Sequence, residues 1–433
     1  MIDIDLTTLA DQMEGSLWKD LIDPWFPACI DSQGGFWQVY DRQWQRKPSN
    51  IRGVVFQSRM TWVSATLASL PGPRQEEFRQ NAVHGMRYLN DIFVEAKSGA
   101  VRWKVDQADR NIGERDLRGH AYGGSFAIYA LAAVHRALDV PEALEAAIKV
   151  FGWLDRYVRD SENGGYFESV SGKGEPVMVA PDQKAAKRGD EINTPFGLKS
   201  QNTHLHLLEA FSELAKSHRD PLVLERLAET KGILEDRLFQ PAGWLYVYAK
   251  PDWTPVPDRV SYGHDIEAAH LLMDACETLE GAVSGKTQAT ARALVDNTLM
   301  FGLDREMGGF FSNGTEGGRP LLRAKNWWTQ SEALLGLARA TELPEAPVNE
   351  YLEAIAFTWA WIRDHQIDQQ FGGWFEMIHD DGRPPDPEDH KDRKGHMWKA
   401  AYHETRGLLG TAKILRRLAA EARHASPLRI HVE

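Results

Sequence analysis

Cysteine is nearly missing from the 433 residues: Cys29 and Cys276 stand alone, too few for a disulfide framework and without zinc-type spacing. No apolar stretch approaches the roughly 20 residues that a membrane span needs. Residues 1–20 carry acidic side chains rather than the basic-then-apolar pattern of a secretion signal. Lys/Arg-rich runs are also lacking, and a formal charge of −12 leaves no basic surface for a polyphosphate. These absences exclude nucleic acid and membrane as partners and point to a reduced, cytoplasmic setting. What is present, 42% hydrophobic and 26% charged residues, is ordinary globular composition. The length, however, exceeds what one core usually organises, so a single domain requires an architecture that uses the whole chain.

Glycine supplies that architecture, because a Gly-plus-aromatic motif recurs six times. It begins at Gly34, Gly99, Gly164, Gly243, Gly308 and Gly372, at intervals of 65, 65, 79, 65 and 64 residues. The long interval contains a polar stretch at 171–190, rich in Gly, Lys and Pro, which reads as an inserted surface loop. Alternating aromatic and branched residues after each motif, as in Trp244-Leu245-Tyr246-Val247-Tyr248, predict a short β-hairpin. Helical periodicity fills the spaces in pairs: 200–214 with 222–238, 265–279 with 288–303, and 327–340 with 349–367. Helices near 6–25 and 397–422 complete a sixth pair. The expected fold is therefore an all-α, single-domain (α/α)6 barrel spanning 1–433, with twelve helices and short hairpins between pairs. An open solenoid is the alternative, but six near-equal units and lone terminal helices suit closure.

Each hairpin is followed by polar residues that a purely structural buried helix would not choose. In order they are Gln57 and Arg59; Tyr122; Asn202, His204 and His206; His264, Asp265 and Glu267; Trp327, Trp328, Gln330 and Glu332; and Trp398, Tyr402 and His403. Inner helices running the same way bring these ends to one mouth. Burying so many polar groups without partners would cost about 1–3 kcal/mol each, so a ligand or a satisfied network is expected there. His264 and Glu267, spaced i, i+3, share a helix face, which predicts that the carboxylate orients the imidazole. Asn202 and His206 share a face likewise, so His204 points elsewhere. Trp327, Trp328 and Trp398 suit the stacking of sugar C–H faces on flat rings, with one of the adjacent pair packing between helices.

Taken in order, Gln57-Ser58-Arg59, Asn202-Thr203-His204-Leu205-His206, His264-Asp265-Ile266-Glu267, Trp327-Trp328-Thr329-Gln330-Ser331-Glu332 and Trp398-Lys399-Ala400-Ala401-Tyr402-His403 resemble the N-acylglucosamine 2-epimerase superfamily, especially its cellobiose and mannose 2-epimerase branch. The resemblance runs from about Gly34 to Arg406. It implies an (α/α)6 barrel that acts on an unmodified reducing sugar with neither metal nor redox cofactor; whether the barrel stands as a monomer or homodimer is left open by the sequence. It further implies that His264 and His403 are the acid/base pair about C2, that Arg59 holds the enediolate oxygens, that His206 assists near the ring oxygen or anomeric hydroxyl, and that Glu267 partners His264. Tyr122 and Asn202 match hydroxyl-binding positions, and Trp328 and Trp398 the aromatic walls. Gln57, Trp327, Gln330, Glu332 and His270 complete the expected substrate-binding set. Cellobiose 2-epimerases commonly carry Trp where this chain has His270. The Gly123-Gly124-Ser125 run, Ala401 in place of Pro, and the 171–190 insertion are further departures.

The chemistry agrees with that assignment. Removing a weakly acidic proton next to the opened sugar's aldehyde needs a base poised near neutrality, and imidazole, at about 6.5, meets the need. Inversion needs two, one on each face. The expected function is epimerisation of mannose/glucose or of a β-1,4-linked disaccharide such as cellobiose through a cis-enediolate. Aldose–ketose isomerisation on the same site is the first alternative. A glycoside hydrolase, using Glu267 and Glu332 as its carboxylate pair, comes next, then a non-catalytic carbohydrate- or protein-binding scaffold. A metal site built from His204, His206 and Glu267 is the rival reading of the histidines.

Overall fold

The computed structural model describes residues 5–108, 119–387, 389 and 392–425. Among the described residues, twelve long helices carry the fold. They are α1 (Leu6–Ser16), α2 (Val54–Ala68), α3 (Gln75–Tyr88), α4 (Ala121–Leu138), α5 (Pro141–Trp153), α6 (Gln201–Ser217), α7 (Pro221–Ile233), α8 (Tyr262–Glu280), α9 (Gly285–Phe301), α10 (Trp327–Ala340), α11 (Val348–Trp361) and α12 (Tyr402–Ala425). The even-numbered helices form an inner ring in which each touches the next and α12 touches both α10 and α2, so the ring is closed. Each odd-numbered helix packs outside: α1 against α12, α3 against α2, and so on round the barrel. This is an (α/α)6 barrel, and the closure of α12 onto α2 excludes an open solenoid.

Burial follows from this layering. In α2 all but one of the 15 residues are buried, because an inner helix meets neighbours on every side. The outer α3 buries only a stripe, Phe78, Ala82, Gly85, Met86 and Tyr88. Helix starts are fixed by side-chain caps: Asp5 accepts from the Thr7 N–H, Ser200 from Thr203, and Asp220 from Leu222 with Pro221 in the first turn. Five outer helices, α1, α3, α5, α7 and α11, end in a widened π-type turn that carries the chain into the next hairpin.

The hairpins are stapled by buried charge. In four of them an aspartate four or so residues ahead of the glycines accepts backbone N–H groups and pairs with a cation that precedes the following inner helix. The pairs are Asp31 with Arg52 (2.8 Å), Asp160 with Lys199 (2.8 Å), Asp304 with Lys325 (2.9 Å) and Asp368 with Lys394 (2.8 Å). Short antiparallel pairings then tie one repeat to the next, as at Ile51–Gly53 with Lys104–Asp106 and Lys325–Asn326 with Met377–Ile378. At Gly35, φ is +71° and an added Cβ would lie 2.5 Å from the Tyr88 ring, so only glycine fits the turn against the outer helix.

The last inner helix begins at Tyr402, five residues later than its periodicity predicts. His396 explains the delay: its Nδ1 accepts from the Trp398 N–H (3.2 Å), holding the preceding segment in a loop. The 171–190 stretch contains a turn and a short helix, Gln183–Arg188, and returns to the barrel through Asp190, whose Oδ2 lies 3.3 Å from His120 Nε2. No helix among the described residues is long and apolar enough to cross a membrane.

Candidate active site

Numbering from the first residue of each inner helix separates two kinds of polar group that the sequence pattern lumps together. The fourth residue turns outward to its hairpin. Gln57 accepts from the Phe36 N–H and donates to the Phe36 carbonyl, both at 2.8 Å, and Gln330 does the same to Phe310 at 2.7 and 2.8 Å. His204 lies 3.1 Å from the Tyr166 N–H through Nε2 and 2.8 Å from the Ser200 carbonyl through Nδ1, and Asp265 accepts from the Leu245 N–H (3.1 Å). Gln57 and Gln330, expected to bind substrate, are hairpin clasps instead: both ends of each amide are spent on the backbone. His204 is consumed in the same way, so it does not converge with His206 and Glu267, and the metal reading of that trio loses a ligand.

The sixth residue points to the barrel axis, and there the structure gathers Arg59, His206, Glu267 and Glu332. A guanidinium that sequence reasoning missed, Arg406, ties three carboxylates together. It donates to Glu332 Oε1 (2.6 Å), to Glu267 Oε1, to Glu209 Oε1 and to the Tyr402 hydroxyl (2.6 Å). Burial alone would raise Glu209, but Arg406 and His206 outweigh it and hold the carboxyl at about 2. Glu332 is likewise held well below its usual range, against its burial, by Arg406, His270 and His403. Glu267 goes the other way, pushed upward by burial and the Glu332 charge. A glutamate at the sixth position of two inner helices was the available signal that a buried cation had to answer them.

Above this ionic floor stand the imidazoles. His403 Nδ1 lies 2.7 Å from Glu332 Oε1, and His264 Nδ1 lies 2.7 Å from Ser261 Oγ. Both rings rest on Trp328, with centroid separations of 4.8 Å for His264 and 5.8 Å for His403. The structure therefore brings the two histidines into one compartment. It does not pair His264 with Glu267: one helical turn apart, the carboxylate is drawn down to Arg406 and the serine hydroxyl at the helix start takes the imidazole. Burial pushes both imidazoles down to about 3, so each has a free lone pair at neutral pH, and His264 keeps part of its surface open to the mouth.

On the facing wall, Arg59 donates to the Trp398 carbonyl (2.5 Å) and to the Tyr122 hydroxyl (3.4 Å), with its guanidinium over the Phe126 and Tyr402 rings. Burial raises Tyr122 to about 12, so it remains a hydroxyl donor. His206 sits edge-on to Tyr122, with Nδ1 3.0 Å from Glu209 Oε2. Asn202 Oδ1 is buried without a hydrogen-bond partner. Trp328 and Trp398 are partly exposed at the mouth, whereas Trp327 is buried behind His403, 6.5 Å between centroids, as a buttress.

Two further expectations need correction. Glu332 is not free to bind substrate, because both of its oxygens already accept from protein donors. His270 is not on the mouth either. It lies beneath the floor, with Nε2 2.9 Å from Glu332 Oε2, and lines a cavity of about 430 Å³ that opens at the opposite end of the barrel.

The comparisons with known proteins fit this geometry. The cellobiose 2-epimerase of Ruminococcus albus is 27% identical over 401 residues, covering 92% of this chain and 97% of its own. The D-mannose isomerase of Marinomonas mediterranea is 24% identical over 405 residues, covering 88% and 91%. The structure of cellobiose 2-epimerase from Spirochaeta thermophila superposes with a TM-score of 0.82 at 29% identity, over 95% of this chain and 98% of that one. The model of the family described as N-acylglucosamine 2-epimerase (GlcNAc 2-epimerase) matches residues 34–400, and with the closed barrel and its central histidines this shows that the chain belongs to that family.

Proposed function

We propose that the protein is a sugar 2-epimerase acting on a free reducing aldose, either mannose/glucose or a β-1,4-linked disaccharide such as cellobiose. The observation that carries this reading is the seating of His264 and His403 on one indole, opposite Arg59 and Tyr122. Ring opening exposes an aldehyde that acidifies the C2 proton. One neutral imidazole takes that proton, and the electron pair moves onto the carbonyl oxygen to give a cis-enediolate. Arg59 and Tyr122 donate to its oxygens, the kind of preorganised stabilisation that is worth most in a buried site. The other imidazole takes up a proton from solvent at its free nitrogen and delivers it to C2 from the opposite face, and the first imidazole then loses the C2 proton to solvent, which restores both bases. Glu332 behind His403 favours the charged imidazole; Ser261 behind His264 has no charge to offer. Of the two, His403 is therefore the better proton reservoir. His206, edge-on to Tyr122, assists at the ring oxygen or anomeric hydroxyl in this reading.

Hydrolysis is disfavoured by the floor: Glu267 and Glu332 are joined through Arg406 rather than held apart across a bond. The isomerase reading shares the enediolate and differs only in protonation at C1, and the similarity to a D-mannose isomerase keeps it as the second reading. Incubation with glucose, mannose and cellobiose in deuterated water separates them. A C2 epimer deuterated at C2 is expected; a ketose as main product supports isomerisation, and free glucose from cellobiose sinks both. His403→Ala should abolish turnover with unchanged far-UV circular dichroism, and retained activity removes His403 from the chemistry.

A further inference from the structure

Glu332 is shared between two histidines. Its Oε1 accepts from His403 Nδ1 (2.7 Å) and Arg406 (2.6 Å), and its Oε2 accepts from His270 Nε2 (2.9 Å). All three residues of this His–Glu–His chain are buried, at 5% exposure or less. An ionised carboxylate can only accept, so both imidazoles must donate to it. His403 is thereby fixed as the Nδ1–H tautomer with its Nε2 lone pair free, and His270 as the Nε2–H tautomer. His270 sits on α8, three residues past Glu267, and lines the cavity at the opposite end of the barrel.

We propose that His270 is a positioning residue for His403, acting through Glu332: by drawing one oxygen of the carboxylate to itself, it sets how strongly the other supports a charged imidazole on His403. This rests on the reading of His403 as a base. The groups facing His403 are Glu332 from α10, Arg59 from α2, His264 and Glu267 from α8, and Tyr402 and Arg406 from its own helix; those facing His270 through Glu332 are Arg406 and Glu209. Arg406 and Arg59 are fixed cations, and Glu267 accepts from Arg406 and can give Glu332 no hydrogen bond while ionised, so His270 is the neutral donor through which the balance at Glu332 is adjusted. Among the described residues, its Nε2–H bond is also the one hydrogen bond to Oε2, the oxygen that His403 does not use. Without it, charge concentrates on Oε1 and the Nδ1–H bond of His403 tightens.

The test uses the full chain with 15N-labelled histidine. In the wild type, His403 should show the Nδ1–H tautomer and His270 the Nε2–H tautomer; the opposite tautomer at either residue overturns the proposal without any variant. His270→Phe fills the ring's space, excludes water and removes the donor. It should move the His403 Nδ1 proton downfield and shift the acid limb of kcat/KM upward by about half a unit to one unit. His270→Gln, which places an N–H near the position of Nε2, should restore both. An unmoved resonance, or a Gln variant that behaves like Phe, overturns the proposal. A resonance that moves and is restored in a protein that turns over no sugar condemns the proposed activity instead and leaves the positioning role standing.

Discussion

Replacing Arg406 with methionine tests whether the ionic floor is held as described. Methionine keeps much of the aliphatic length and removes the one cation that bonds to Glu209, Glu267 and Glu332 together. Three buried carboxylates are then left facing one another, and breaking a buried ion network by deleting one partner costs about 3–5 kcal/mol. Glu209 gives an independent figure: a carboxyl held at about 2 against an ordinary 4.5 contributes about 3 kcal/mol at neutral pH. In a chain of this length about 1 kcal/mol moves Tm by about 1 °C, so a drop of about 3–5 °C is expected at pH 7. The pH dependence is more telling. In the wild type, Glu209 titrates below its unfolded value, so its contribution is fully present above about pH 4.5 and is lost as pH falls through about 2. In the variant the uncompensated carboxylates titrate above their unfolded values, and the penalty grows as pH climbs. Urea or thermal unfolding at pH 5, 6.5 and 8 should show a gap between the two proteins that widens steadily. A gap of the same size at all three, or none, would refute the assignment of Arg406 as the shared counter-ion.

Two substitutions separate the clasp position from the axial one. Gln330→Leu leaves the Phe310 N–H and carbonyl without their partner; a loss of about 2–4 kcal/mol in unfolding free energy, with kcat per folded molecule little changed, is expected by denaturation and steady-state assay. Arg59→Lys should do the reverse, because one ammonium cannot serve both the Trp398 carbonyl and the Tyr122 hydroxyl as a fork does. Stability should hold while kcat falls by about 100-fold or more, and an unimpaired kcat would remove Arg59 from the oxyanion site.

Periodicity carried the architecture because each repeat must bury the same stripe and turn at the same glycines; the motif spacing at Gly34, Gly164, Gly308 and Gly372 is a direct image of the stapled hairpins. The site was legible only in part, and helix geometry explains where reading stopped. Gln57 and Arg59 are two residues apart, as are Gln330 and Glu332, so they project about 200° apart round their helices. A list of polar residues cannot say which member faces the axis and which the hairpin. His264 and Glu267 illustrate the complementary error. Spacing i, i+3 permits contact, but contact is decided by competition, and a fixed cation outbids a nearby neutral imidazole for a buried carboxylate. Arg406 itself went unread because its partners come from three other helices, α6, α8 and α10. Such a residue has no local signature. It becomes visible only by asking what neutralises Glu267 and Glu332 once closure of the ring has placed both beneath the same pair of histidines.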